Sequence, residues 1–219
     1  MHKILLIDNG SGYIDDLETS IKQQAKQLKK EGDLKDFKIE RFSAKEVTQA
    51  DNYPENLKEY GTIVSSGSSK GHKYAKELHK HIIEKTPSST NILGVCYGHQ
   101  NFAEALGAKV TNSGKMHHGE REGTIKKDDP LLKGVHDNGK LRTYGRHQKY
   151  IESGDEGPLE ILAESTSEKT GKTFVEAYKK ENVYGVQFHP EKIDAHKKLF
   201  YNLMKGSTSA PVKEPSPEN

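Results

Sequence analysis

The chain has 219 residues, with 34 basic and 32 acidic side chains and a net charge of +2. That length suits one generous domain, and charges so evenly interspersed give no concentrated basic face of the kind a nucleic acid needs. Hydrophobic residues make up 32% and charged residues 30%, a polar balance that still permits a buried core, while no apolar run approaches the roughly 20 residues that cross a membrane.

The first segment reaches Asp8 after only four apolar residues, unlike a secretory leader. A single cysteine excludes an internal disulfide and points to a reducing, cytoplasmic setting.

Residues 3–7 read as a buried strand running into the turn Asp8-Asn9-Gly10-Ser11-Gly12. Ile14, Leu17, Ile21, Ala25 and Leu28 then recur at steps of three and four, predicting a helix that Gly32 stops. Short strands follow at 37–42 and 61–64, then the small-residue loop Ser65-Ser66-Gly67-Ser68-Ser69 and a helix through Tyr74, Leu78, Ile82 and Ile83. A fourth strand at 91–95 runs without a spacer into Cys96 and a helix carrying Phe102, Ala103, Ala105 and Leu106 up to Gly107. This alternation predicts a parallel sheet covered on both faces.

The second half changes character. Strand-like segments at 122–126, 140–144, 159–163, 173–178 and 183–188 are joined by Gly, Asp and Asn turns, which predicts antiparallel pairing. A last helix is expected over 194–205, giving a domain of residues 1–205, and 206–219 is expected to be a disordered tail.

Chemistry concentrates first at Gly94-Val95-Cys96-Tyr97-Gly98-His99-Gln100. A nucleophile flanked by glycines between a strand and a helix forms an elbow: the glycines let the chain turn sharply and display one side chain above the sheet edge. A cysteine at a helix start is also favoured as thiolate, the attacking species. Such a nucleophile needs a proton shuttle, which Gln187-Phe188-His189-Pro190-Glu191 offers. In an extended chain His189 and Glu191 project to the same side, so the carboxylate orients the imidazole.

Together the two motifs resemble the class I glutamine amidotransferase family, over nearly all of the chain except the tail. The resemblance implies a flavodoxin-like three-layer α/β sandwich with a mostly parallel central sheet and additional antiparallel strands in the C-terminal half. It implies glutamine hydrolysis through a cysteinyl thioester, with Cys96, His189 and Glu191 catalytic and no cofactor or metal. The ammonia would pass to a separate synthase or synthetase, of the kinds typified by GMP synthetase and anthranilate synthase. Tyr97, Ser68 and Gly67 are the oxyanion-hole candidates, and Gln100, Gln148 and Lys149 the glutamine-binding ones.

One departure stands out. Relatives usually read Ser-Gly-Gly-Pro where this chain has Ser66-Gly67-Ser68-Ser69, and a serine resists any positive φ that a glycine would accept. Two other readings therefore stand beside the amidotransferase one: a γ-glutamyl hydrolase acting alone, and a catalytically impaired binding or regulatory subunit.

The remaining features read as structural. The stretch Lys169-Thr170-Gly171-Lys172-Thr173 lacks the first glycine of a phosphate loop. The pairs His79/His81, on a helix, and His117/His118, in a predicted loop near Gly114, read as solvated rather than metal-bound. His147 reads as a partly buried packing residue.

Overall fold

The computed structural model describes residues 1–49, 53, 54, 56–70, 75–167 and 171–209. The first strand, β1 (His2–Asp8), shows why the fold has three layers. Its four apolar residues are all buried, and successive side chains point to opposite faces, so Ile4 and Leu6 enter one core while Leu5 and Ile7 enter another. Full burial of each such side chain is worth about 1.5–3 kcal/mol, which fixes the strand as an interior strand of a sheet covered on both sides.

The sheet is completed by β2 (Phe37–Ser43), β3 (Thr62–Ser65), β4 (Asn91–Val95), β5 (Thr111–Ile125), β6 (Lys140–Tyr150), β7 (Glu160–Thr166), β8 (Thr173–Lys180) and β9 (Val183–Val186). Their order is β2-β1-β3-β4-β9-β8-β7-β5-β6. The pairings through β2, β1, β3, β4 and β9 are parallel; those from β9 through β8, β7, β5 and β6 are antiparallel. The antiparallel half is thus as large as the parallel one and continues the same sheet. This is the flavodoxin-like α/β architecture, with a mixed sheet.

Helix α1 (Ile14–Glu31) buries Ile14, Leu17, Ile21, Ala25 and Leu28. It ends at Gly32, whose φ of 84° lets its N–H reach back to the last carbonyls. It shares its face of the sheet with α5 (Lys198–Ser209), whose Leu199, Phe200 and Leu203 join the same core. The other face carries α2 (Ala44–Gln49), α3 (Ala75–Lys85) and α4 (Tyr97–Ala105). Among the described residues no helix is long and apolar enough to cross a membrane.

Several boundaries differ from the sequence reading. Helix α2 was not anticipated, because its six residues show too little periodicity. Strands β5 and β6 are far longer than 122–126 and 140–144, since the glycines and charges of this hairpin mimic loop composition. His117 and His118 accordingly sit in a strand, not a loop. The last helix begins as a 3-10 turn at Asp194–Lys197 and continues to Ser209, four residues into the stretch expected to be disordered. Residues 210–219 lie outside the described residues, as does part of the Lys169–Thr173 stretch.

Candidate active site

Register alone brings the key residues together. Ile7, Ser65, Gly94 and Gly185 align across β1, β3, β4 and β9. Two residues further along each of these parallel segments come Asn9, Gly67, Cys96 and Gln187. Four strand ends thus deliver their residues to one spot at the carboxyl edge of the sheet, where open α/β folds bind ligands.

Cys96 occupies the N-cap of α4 with φ 51° and ψ −96°. A non-glycine residue in such backbone costs about 1–3 kcal/mol, so the strain of the elbow is carried by the cysteine itself. The flanking glycines do a different job from the sharp turning expected of them. A Cβ on Gly94 would sit 2.5 Å from the backbone of Gly98 and His99, and one on Gly98 would sit 2.5 Å from the Ser65 carbonyl oxygen. They let helix and strands approach closely enough for the Gly98 N–H to donate to Ser66 O at 3.1 Å and the Cys96 N–H to Val186 O at 2.8 Å.

His189 follows β9, and its backbone N–H donates to Tyr144 O at 2.9 Å. Its Nδ1 is 2.8 Å from Glu191 Oε1. The pairing does not come from an extended chain, as the two-residue spacing suggested: Pro190 starts a 3-10 turn over Pro190–Lys192 that folds the carboxylate back. The imidazole also meets Gly67, where a Cβ would lie 3.0 Å from His189 Cε1 and 3.6 Å from Cys96 Cβ. Gly67, Cys96 and His189 are therefore mutual neighbours, and no side chain fits at position 67 without crowding the ring. Burial alone would lower the His189 pKa, but the charge of Cys96, the hydrogen bond to it and the Glu191 carboxylate outweigh burial and raise it to about 10. The Tyr13 ring packs nearly perpendicular to the imidazole, with 5.2 Å between ring centroids.

The loop after β3 is firmly held. Asn9 donates through its N–H to Ser66 Oγ at 3.0 Å and through Nδ2 to Ser65 Oγ at 2.9 Å and Ser66 O at 2.7 Å. The Ser69 N–H donates to Gly10 O. Among described non-glycine residues, positive φ occurs at Cys96, Asn138 and Glu181, so Ser68 needs no left-handed backbone and its departure from the glycine pattern costs no strain.

A cavity of about 390 Å³ opens beside the sulfur, at the small end of the range for ligand sites. Its walls include six of the residues singled out from the sequence, Ser68, Cys96, Tyr97, Gln100, Gln148 and Lys149. Arg146, His147 and Met116 line it as well. Gly67, His189 and Glu191 are not part of those walls; Gly67 and His189 neighbour the cysteine and Glu191 pairs with His189.

The stretch 144–149 continues the strand expected over 140–144 and belongs to β6, which is the outermost strand of the antiparallel half. That half curls until β6 reaches back across the site: Cys96 Sγ lies 3.8 Å from Arg146 O, and Gln100 Nε2 donates to Lys149 O at 2.8 Å.

Some contributors escaped sequence reasoning. Gln187 Nε2 donates toward Cys96 Sγ at 3.8 Å and its Oε1 accepts from Gln100; a buried amide between the β9 apolar run and His189 was the available signal. His147 is buried and hydrogen-bonded through both ring nitrogens, more than a packing residue. His79, read as solvated, is also fully buried, bonding Ser65 Oγ and Ala75 O, and burial lowers its pKa to about 4. Among the described residues no cluster of three or more metal-ligating side chains occurs.

The fold and this constellation place the molecule among α/β proteins with a cysteine at a strand-to-helix elbow. Residues 5–204 match the family model "Glutamine amidotransferase class-I", and the chain belongs to that family. It is 32% identical over 143 residues to one of the subunits of the glutamine-hydrolysing GMP synthase of Methanopyrus kandleri, covering 63% of this chain and 71% of that one. It is 33% identical over 100 residues to the glutamine-hydrolysing GMP synthase of Ruminiclostridium cellulolyticum, covering 46% of this chain but 18% of that protein's length. The chain therefore corresponds to only part of that relative. Among solved structures, the glutaminase domain of Trypanosoma brucei CTPS with bound acivicin superposes with a TM-score of 0.71 at 17% identity, covering 98% of this chain and 97% of that one.

Proposed function

We propose that this chain hydrolyses the side-chain amide of glutamine with Cys96 as nucleophile, and that it supplies the ammonia to a synthetase partner that makes GMP. The observation that carries this reading is the close grouping of Cys96, His189 and Glu191, with Cys96 on the wall of a cavity of about 390 Å³. A protonated His189 beside Cys96 favours the thiolate. The thiolate attacks the amide carbon, forming a C–S bond and an oxyanion. The tetrahedral intermediate then collapses as the imidazolium gives its proton to the departing nitrogen, releasing ammonia and leaving a γ-glutamyl thioester. The now neutral imidazole takes a proton from water as it attacks the thioester, and glutamate leaves. Glu191 holds the ring by accepting from Nδ1, so Nε2 is the nitrogen that handles the proton.

The oxyanion would be met by backbone N–H groups at Tyr97, at the start of α4, and in the Gly67–Ser68 loop, each typically worth about 100 to 1,000-fold in rate. Gln100, Gln148 and Lys149 form the wall against which the amino-acid end of glutamine would lie. The GMP reading of the partner rests on the relatives' names.

The test is ammonia and glutamate release from glutamine, alone and with the ATP-dependent synthetase subunit of GMP synthesis. Release should rise with the partner and fall at least about 1,000-fold in Cys96→Ala. Equal rates in wild type and Cys96→Ala would overturn the assignment.

A further inference from the structure

A buried chain of polar contacts leads from the antiparallel half of the sheet to the candidate nucleophile. It begins at Glu176 on β8, fully buried inside the apolar run Phe174-Val175-Glu176-Ala177-Tyr178. A carboxylate there must be paired to be tolerated. Its Oε1 accepts from Ser165 Oγ at 2.5 Å and from Arg121 Nε and Nη2 at 3.2 and 3.0 Å. Arg121 Nη2 lies 3.0 Å from Nε2 of His147, whose Nδ1 is 2.9 Å from the Lys149 carbonyl oxygen.

The donor inventory fixes the rest. A guanidinium has no acceptor, so His147 Nε2 must accept and Nδ1 must carry the hydrogen it gives to Lys149 O. The same oxygen accepts from Gln100 Nε2 at 2.8 Å, and that nitrogen also reaches Gln187 Oε1 at 3.2 Å. With both amide hydrogens spent, Oε1 is the polar atom Gln100 can offer the cavity. Flipping the amide would set its oxygen against two other acceptors.

We propose that His147, locked into one tautomer by Arg121 and Glu176, is a positioning residue that anchors the Lys149 carbonyl and thereby fixes the amide orientation of Gln100 for substrate recognition. The inference rests on the glutaminase reading of the site. His147 does not touch the sulfur; it acts through Gln100, presenting an acceptor to the N–H donors of an amino-acid substrate. Asparagine at position 147 keeps an N–H near the Nδ1 position, whereas alanine keeps none.

The test compares two reagents on Cys96, followed by mass spectrometry of the intact chain: 6-diazo-5-oxonorleucine, which is glutamine-shaped, and iodoacetamide, which needs no recognition. In His147→Ala the glutamine-shaped reagent should slow by about 10-fold or more, with iodoacetamide within about twofold of wild type, a contrast that a general loss of structure would not produce. His147→Asn should recover most of the lost rate, and His147→Ala combined with Gln100→Ala should react no more slowly than Gln100→Ala alone. Parallel slowing of both reagents, no rescue by asparagine, or additive losses in the double variant would overturn the inference. A wild-type chain that reacts with iodoacetamide but not with the glutamine-shaped reagent would instead sink the glutaminase reading, and this inference with it.

Discussion

At residue 96, geometry and charge pull in different directions from stability. The backbone strain at Cys96 is retained in Cys96→Ala, because alanine resists φ 51° as much as cysteine does, but it is relieved in Cys96→Gly. Cys96→Gly should therefore be more stable than Cys96→Ala by about 1 kcal/mol in urea denaturation, the reverse of the usual order. The neighbouring imidazole gives a second test. Its pKa of about 10 stands above the unfolded value near 6.5. The stabilisation it brings is therefore fully present below about pH 6.5 and is lost as pH rises through 10. Ring-nitrogen NMR should find His189 still protonated at pH 9 in the wild type. In Cys96→Ala, without the sulfur's charge, it should titrate at lower pH; an unchanged titration would contradict the pairing. The two motifs were legible because each is a contiguous run of residues. The inward fold of Glu191 through Pro190 and the role of Gln187 were not, because both depend on where other strands end.

Among the elements, β3, β4 and α4 are held together by missing side chains. Gly98→Ala would drive a methyl group into the Ser65 carbonyl, and such overpacking costs about 1–3 kcal/mol. Gly12→Ala, where the nearest atom is Ser69 Oγ at 3.5 Å, should stay within about 0.5 kcal/mol of wild type. Denaturant midpoints for the two variants check this; equal shifts would mean the close approach is not structurally decisive. The parallel strands were readable because a strand buried on both faces is a continuous apolar run, as at residues 4–7 and 92–95. Strand β5 was only partly readable, since nearly all of its side chains are exposed or half-buried and its glycines, histidines and charges imitate a loop, although ten of its residues pair with β6. A buried Glu176 within an apolar run was the clearest unused clue that this half carries a polar network.

At the scale of the whole molecule, the fold assembles its site from two halves. The parallel half presents Cys96, Gly67 and His189 on a fixed edge, while the antiparallel half curls its last strand back over that edge to supply Tyr144, Arg146 and Lys149. No local pattern encodes that closure, because β6 ends the sheet yet lies against residues that follow β9 and against α4. The proposed glutamine hydrolysis makes one chemical demand, that the sulfur of residue 96 carry the glutamyl group during turnover. Acid-quenched mixtures of the protein with glutamine and the proposed synthetase partner, digested and read by mass spectrometry, test this directly. A γ-glutamyl group should appear on the peptide containing Cys96 in the wild type and be absent from Cys96→Ala. Glutamate formed while that peptide never carries the group, or formed equally well without the cysteine, would contradict it.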